Sequence, residues 1–322
     1  MSKQNGRGWF IPAGAALGLI LAWALAKMLW VIGTLGYPLS NGGAAVLFRL
    51  EPGEYSFFGG VLGFVLGFWL LAKPAGLDRR KTLDALAFPV CLVIAAARFA
   101  TLFWGEAGLG DYSRLGMDLV EDGSILAFFP LSIRDSWGDW WMGVGTLEAL
   151  AALITGIYAL RKRDKYANRP GHLFERCAVI LCSVQLVLEL FHSVSTITYF
   201  VHTEQVWCAV YILVRVIFAC RVLAQEQGGG AWKWTVFTVL WVALNGVTQY
   251  MMDKLQWLDL LPEGVSRWVG EHLVGIGYGL IILSAVGLCF TGLRAGKLAA
   301  DQTLRNGKAA AAAYGKDGKE TE

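Results

Sequence analysis

Charged and strongly polar side chains interrupt several apolar stretches of this 322-residue chain. A charge near the centre of a bilayer costs at least a few kcal/mol, so such a residue usually faces a cavity or a partner. A set that has both signs of charge and a histidine can bind an anion and move a proton near neutral pH. The candidates are Lys27, Arg98, Glu148, Gln185, Glu189, His192 and Arg215.

Three of these candidates belong to one stretch of helix. Gln185, Glu189 and His192 have the spacing i, i+4 and i+7. Residues at this spacing lie on one face of an α-helix. The residues between them are mostly apolar, so we predict that this face alone is turned towards a polar environment.

Composition and the length of the apolar stretches predict the secondary-structure elements that position these residues. The chain is 56% hydrophobic and 16% charged, whereas soluble domains have about 25% charged residues. A helix needs about 20 apolar residues to cross a bilayer, and its backbone groups must be paired internally. We predict an all-α, polytopic membrane helical bundle with about eight transmembrane helices, over residues 9–35, 57–73, 83–104, 145–160, 173–192, 205–223, 234–251 and 272–293.

Loop charges predict the orientation. The short loops 73–81 and 161–172 are basic, which is typical of cytoplasmic loops. The long segment 105–144 has more acidic than basic residues and is predicted to be an outer loop. Both termini are then cytoplasmic. One alternative stays open for the first span, because Ala24-Leu25-Ala26 resembles a signal-peptide cleavage site, although the apolar stretch is longer than is usual there.

The predicted spans divide the chain into three regions, and their orientation predicts one functional site. The regions are a membrane domain over 1–225, two additional transmembrane helices over 226–296, and a cytoplasmic tail over 297–322 that is expected to begin as a helix and fray into a disordered end. The orientation also gathers polar residues of four helices near the outer surface. Structural ion pairs are one interpretation of each single residue, but the set favours a polar cavity. The residues at this depth are Lys27, Arg98, Glu148, Glu189 and His192, with Glu106 just beyond.

The glycines of the second predicted span and the cysteines are explained first by packing. Gly59, Gly63 and Gly67 repeat every four residues, which favours close packing of two helices. Gly59 and Gly60 also lie at the outer mouth, where a lipid headgroup could approach backbone N–H groups. The six cysteines are expected to be free, buried thiols, and no metal or other cofactor is predicted.

Several stretches of the chain match known sequence motifs. Residues 56–63 (SFFGGVLG) and residues 97–106 (ARFATLFWGE) resemble the SFHGGLLG and GRxGNFxNGE motifs of the prolipoprotein diacylglyceryl transferase family. Glu148 falls where the family's HPxQLYE ends, and residues 171–189 resemble GxLFxxYxxxRFxxExxR. Order and spacing match over about residues 15–223, so the last two predicted spans lie outside the resemblance.

The match is uneven among the polar positions of these motifs. The positions that keep the family's residue are Arg98, Gly105, Glu106, Glu148 and Glu189. The family's histidine is Phe58 here, and its helix-five arginine is Gln185. The other replaced positions are Thr101, Trp104, Met142, Gly145 and Leu147.

The resemblance implies transfer of a diacylglyceryl group from a phosphatidylglycerol-like phospholipid to a cysteine thiol of a lipoprotein precursor, at the outer face of a bacterial inner membrane. It implies that Arg98 stabilises the departing phosphate and that a nearby carboxylate or histidine acts as base. The predicted catalytic residues are Arg98, Glu148, Glu189 and His192. The predicted substrate-binding residues are Lys27, Gly59, Gly60, Gly105, Glu106 and Gln185.

Two other functions are considered. A catalytically inactive lipid-binding or membrane assembly protein on the same scaffold would keep the glycines and buried charges and lose polar motif residues, as this chain does. A transporter is disfavoured, because no inverted repeat or pair of broken helices is evident. Membrane lipids are the expected partners, and no nucleic-acid partner is expected.

Overall fold

A computed structural model describes residues 8–34, 37–49, 54–103, 120–134, 138–192, 197–198 and 201–317. Two of the predicted substrate-binding residues, Gly105 and Glu106, lie outside these ranges, as does Trp104.

Helices make up most of the described chain. They are α1 (Phe10–Gly33), α2 (Tyr37–Gly42), α3 (Phe57–Ala72), α4 (Arg79–Ala100), α5 (Val144–Tyr166), α6 (His172–Leu188), α7 (Thr203–Gln227), α8 (Lys233–Asp253) and α9 (Glu263–Asp317). Two short antiparallel hairpins lie between them. They are formed by β1 (Ser132–Arg134) with β2 (Trp140–Met142), and by β3 (Ile197–Thr198) with β4 (Val201–His202).

The helices agree with a membrane helical bundle. Five of them, α1, α4, α5, α7 and α9, are long and apolar enough to cross a bilayer, and α3 is a shorter apolar helix of 16 residues. Each of the eight predicted spans coincides with one helix of the structure. The all-α architecture is therefore confirmed, whereas eight crossings and the side of each terminus stay predictions.

The glycine repeat of α3 brings this helix against the backbone of α1. A Cβ atom on Gly59 would lie 2.5 Å from the carbonyl oxygen of Leu25, and one on Gly63 would overlap the carbonyl of Leu21. The amide of Ser56 also donates to the carbonyl oxygen of Ala26 at 3.0 Å. The predicted close approach is confirmed, and it holds the first residues of α3 in place.

A pair of alanine substitutions tests this contact. We expect Gly63→Ala to lower the free energy of unfolding by about 1–3 kcal/mol, because backbone of α1 cannot move aside without repacking. Gly60→Ala is the matched control, since its Cβ would meet only the Ala26 methyl group at 3.9 Å. The measurement is unfolding of both variants in mixed detergent micelles; equal losses for the two variants would contradict the packing.

The last two helices pack on the bundle through a polar seam and a shared core. Asn245 Nδ2 of α8 donates to Ser284 Oγ of α9 at 2.8 Å. Leu288 of α9 is buried in one cluster with Leu186 of α6 and Ile212 of α7. The contact of α9 therefore supports α6, the helix that leads into the site described below.

The structure also extends α9 into the predicted tail. The helix continues to Asp317, and Asp301 forms an ion pair with Arg169 in the loop between α5 and α6. A helix thus occupies the first part of the predicted tail, and the side of the membrane on which the tail lies stays a prediction. Its alanines explain the continuation, because alanine has the highest intrinsic helix propensity.

Candidate functional site

Glu148 lies at the centre of a buried group of polar side chains. It belongs to the first turns of α5 and is only 4% exposed. Its Oε1 accepts a hydrogen bond from Gln185 Nε2 at 2.6 Å and lies 3.0 Å from His192 Nε2. Its Oε2 lies 3.2 Å from Arg98 Nε. Residues of α4, α5 and the α6 region therefore converge on one carboxylate.

Gln185 links this carboxylate to a second one. The same Nε2 atom that donates to Glu148 also donates to Glu189 Oε2 at 2.6 Å. The α-helix ends at Leu188 and continues as a 3₁₀ turn, Glu189–Phe191, before His192 adopts an extended conformation. The single α-helical face predicted for these three residues is therefore not formed, because the α-helix ends before Glu189, but Gln185 and His192 still both contact Glu148. We call Arg98, Glu148, Gln185, Glu189 and His192 the polar cluster.

Arg98 presents donor groups that the described part of the chain leaves unused. It lies in the last turn of α4 and is 7% exposed. Among the described residues, its Nε and Nη2 atoms have no hydrogen-bond acceptor, although Glu148 lies at ion-pair distance. The ring of Phe57 covers the guanidinium, with Cζ 3.6 Å from the ring centroid. A buried arginine with free N–H groups is well suited to bind an oxyanion.

The polar cluster borders an apolar cavity of about 140 Å³, which we call the central cavity. Side chains of α3 to α7 form its walls, and most of them are aliphatic, aromatic or thiol groups. Four polar residues line it as well, namely Arg98, Glu148, Gln185 and Glu204. Such a site fits an amphipathic ligand whose apolar part lies in the cavity and whose polar part meets Arg98.

The thiols in these walls are unpaired. Cys91, Cys177, Cys182 and Cys208 line the central cavity, and all six cysteines of the chain are free. The predicted free, buried thiols are therefore confirmed for five of the six, while Cys289 is partly exposed. They pack as small apolar groups, so the cavity wall that they form is compatible with a hydrocarbon ligand.

Glu204 is a polar residue of this region that the sequence analysis missed. Its two carboxylate oxygens accept from the backbone amides of Phe57 at 2.8 Å and Phe58 at 2.9 Å. Ser56 Oγ accepts from the amide of Gly59 at 3.1 Å. These acceptors satisfy the N–H groups left open at the start of α3. No local motif signals this cap, because Glu204 lies 146 residues away from Phe58.

The structure also shows the contacts of three predicted substrate-binding residues. The amide of Gly59 is occupied by Ser56, and the amide of Gly60 donates to the Ser56 carbonyl oxygen at 3.0 Å. Lys27 forms an ion pair with Glu54 at 2.6 Å and lies 4.6 Å from the ring centroid of Tyr55. The structure thus gives the two glycines a packing and capping role and places Lys27 outside the polar cluster.

Three members of the polar cluster also have metal-ligand chemistry. Glu148, Glu189 and His192 each offer one donor atom within 4.8 Å of the others. Carboxylate oxygens and imidazole nitrogen are ordinary ligands of Zn²⁺. In the structure, however, Gln185 donates to both carboxylates, so a metal ion would have to displace this amide.

Glu204 substitutions test the cap of α3. We expect Glu204→Ala to lower the free energy of unfolding by about 2 kcal/mol more than Glu204→Gln, because alanine leaves two N–H groups without an acceptor. Glutamine retains one carbonyl oxygen and a similar volume. Denaturant titration of both variants measures the difference, and an alanine variant as stable as the glutamine variant would show that the amides find other acceptors.

Comparison with known proteins identifies a distant relationship. Over 140 residues, the chain is 29% identical to proteins named phosphatidylglycerol–prolipoprotein diacylglyceryl transferase from two strains of Neisseria gonorrhoeae and from Neisseria meningitidis. Each alignment covers 41% of this chain and 46% of the relative, so the match spans under half of either protein. No family model matches the chain. No solved structure matches it either. The chain is thus a distant relative of the prolipoprotein diacylglyceryl transferases.

Proposed function

We propose, from this distant relationship, that the chain is a membrane transferase that moves a diacylglyceryl group from a glycerophospholipid such as phosphatidylglycerol to a cysteine thiol of a lipoprotein precursor. The observation that carries the proposal is the polar cluster. Its five side chains come from three segments, namely α4, α5 and the end of α6 with the turn that follows it, and three of them, Arg98, Glu148 and Gln185, line the apolar cavity. That arrangement gives a lipid ester both an apolar site for its glycerol and acyl carbons and a cation for its phosphate.

The transfer requires one bond exchange. The thiolate sulfur attacks the glycerol carbon that bears the phosphate, a carbon–sulfur bond forms, and the carbon–oxygen bond to phosphate breaks. The thiol proton passes to a base, and the phosphate monoester leaves with the bonding electron pair. Stabilisation of the leaving oxygens by a fixed cation is the largest contribution that the protein can make.

Arg98 is the group that we assign to the phosphate. It is the arginine of the polar cluster, and its Nη2 group, which has no acceptor among the described residues, can donate to a phosphate oxygen. Phe57 packs against its flat face and restricts the guanidinium plane. Because the site is buried, an interaction between Arg98 and a phosphate is weakly screened by solvent.

The base is assigned to the carboxylates and the histidine of the polar cluster. Phe58 occupies the position of the family's histidine, and a phenyl ring cannot accept a proton. His192 lies 3.0 Å from Glu148 and is therefore oriented by a carboxylate, which is the usual arrangement of a histidine that moves protons. Glu189 lies one hydrogen bond further away, through Gln185.

The location follows from the same proposal. The polar cluster lies at one end of the bundle, at the end of α4, the start of α5 and the end of α6. The basic loops 73–81 and 161–172 lie at the other end and are predicted to be cytoplasmic. We therefore place the reaction near the outer leaflet of a bacterial inner membrane, where lipid and secreted precursor are both accessible.

Complementation and a purified assay test the proposal together. The chain is expressed in a strain depleted of its own diacylglyceryl transferase, and insertion into the membrane is verified by blotting. We expect growth to be restored, and we expect purified protein to transfer labelled diacylglyceryl from phosphatidylglycerol or another phospholipid to a precursor peptide. Absence of both activities in correctly inserted protein would favour the alternative of a non-catalytic lipid-binding protein.

A further inference from the structure

The backbone at the end of α6 positions two residues of the polar cluster. The α-helix ends at Leu188, a 3₁₀ turn follows over Glu189–Phe191, and His192 is extended. Glu189 and His192 therefore lie on a segment that leaves the regular helix. Carbonyl groups in the last turn of an α-helix have no partner within the helix, so such a segment depends on donors from elsewhere in the fold.

Gln205 of α7 supplies one of these donors. Its Nε2 atom donates to the backbone carbonyl oxygen of Leu186 at 2.7 Å. Both residues are buried, and each is only 1% exposed. Leu186 belongs to the last turn of α6 and lies three residues before Glu189. A buried carbonyl group without a donor is costly, so this bond stabilises the backbone at the point where the α-helix changes to the 3₁₀ turn.

The other end of the same amide group is held by the start of α7. Gln205 Oε1 accepts from the backbone amide of His202 at 3.3 Å. Gln205 is the third residue of α7 and His202 directly precedes that helix, so this contact is the glutamine bond of a capping box. A backbone amide can only donate and a backbone carbonyl can only accept, so the two partners fix which end of the Gln205 amide faces which helix.

Gln205 acts on the site through this backbone. Among the described residues, those that line the central cavity include its neighbour Glu204 but not Gln205 itself. In a continued α-helix, the amide of Leu190 would donate to the carbonyl oxygen of Leu186. Gln205 takes the place of that amide, and the α-helix can therefore end before Glu189 without leaving a buried carbonyl group unpaired.

We infer that Gln205 is a positioning residue, which stabilises the 3₁₀ turn after α6 and thereby holds His192 beside Glu148. The inference rests on the proposed function, because it names a residue that positions a base of the same site. Loss of the bond from Gln205 to Leu186 would favour continuation of the α-helix. That change would move His192 Nε2 away from Glu148 Oε1, which now lies 3.0 Å from it.

Histidine NMR tests the inference without any need for turnover. The chain has four histidines, and His192→Gln identifies the signal of His192 in full-length protein with isotope-labelled histidine. Gln205→Met keeps a similar side-chain volume and removes both hydrogen bonds. We expect the imidazole signal of His192 to shift, because its contact with Glu148 is lost. An unshifted signal in folded Gln205→Met would overturn the inference.

Gln249→Met is the matched control. Gln249 of α8 is a second buried glutamine, 4% exposed, and its Nε2 atom donates to Asn245 Oδ1 at 2.6 Å. The substitution removes a buried hydrogen bond in a helix that contributes no residue to the polar cluster, so we expect the His192 signal to keep its position. An equal shift in both variants would reveal a general response to destabilisation and overturn the inference.

Gln205→Asn is used in case the methionine variant does not fold. Asparagine keeps the amide group but is one CH₂ group shorter, so its amide stays near α7 and no longer reaches Leu186 on α6. We expect the His192 signal to shift in this variant as well. A signal at the position seen in the unmodified protein would count against the inference.

Turnover measured in parallel keeps this inference distinct from the proposed function. We expect Gln205→Met to lower kcat by about 10- to 100-fold and to change KM for the phospholipid by less than about twofold, since Arg98 lies on α4. An effect confined to KM would overturn the inference. A His192 shift in a chain whose unmodified form performs no transfer would contradict the proposed function and support the positioning of His192 by Gln205.

Discussion

Arg98→Ala is expected to lower the rate of diacylglyceryl transfer by about 100- to 1,000-fold. Removal of one preorganised group that stabilises developing negative charge in a buried site has this effect in other enzymes. In this chain the effect follows from geometry, because Arg98 is the cation that borders the central cavity within the described residues. The measurement is the initial rate of thioether formation with purified protein, labelled phospholipid and a precursor peptide.

Two further variants make the Arg98 result interpretable. Arg98→Lys keeps a positive charge and loses the planar fork of donors, so we expect an intermediate rate. Arg267→Ala removes an exposed arginine that pairs only with Glu263 in α9, and its rate should equal that of the unmodified protein. A rate for Arg98→Ala within a factor of two of the unmodified protein, with the fold intact, would remove Arg98 from the chemistry.

Glu148→Ala is expected to lower the free energy of unfolding by about 3–5 kcal/mol, which is the usual cost of removing one partner of a buried ion pair. The substitution leaves Arg98 without its carboxylate and removes the acceptor of Gln185 and the partner of His192. Three polar groups then lose a buried contact at once, and at least one of them is charged. Reversible unfolding in mixed micelles with increasing denaturing detergent measures the change.

The control for this prediction is an ion pair on the surface of the chain. Glu263→Ala breaks the exposed pair between Glu263 and Arg267, and exposed pairs contribute little, so we expect no measurable change. Glu148→Gln should fall between the two, since it keeps an oxygen acceptor for Gln185 and loses the charge that pairs with Arg98. If Glu148→Ala unfolds at the same detergent fraction as the unmodified protein, the polar cluster does not contribute to the fold.

The contacts of Glu204 show that local sequence patterns leave part of the site undetermined. The sequence places a single glutamate at the start of an apolar stretch, and nothing nearby identifies its partner. In the folded chain it caps α3 through the amides of Phe57 and Phe58, while Ser56 accepts from the amides of Gly59 and Gly60 that the sequence analysis considered for a lipid headgroup. Capping across 146 residues is a property of how α3 and α7 meet, which periodicity within either helix does not report.

The sequence by itself determined the helical segments and the close packing of α3 through Gly59 and Gly63, because each depends on spacing along one helix. Only the tertiary structure decided which charges meet. It paired Arg98 with Glu148 and Lys27 with Glu54, and it placed Glu204 on α3. The reason is physical, since the partner of a buried charge depends on the rotation and depth of two packed helices, and these are set by the whole bundle.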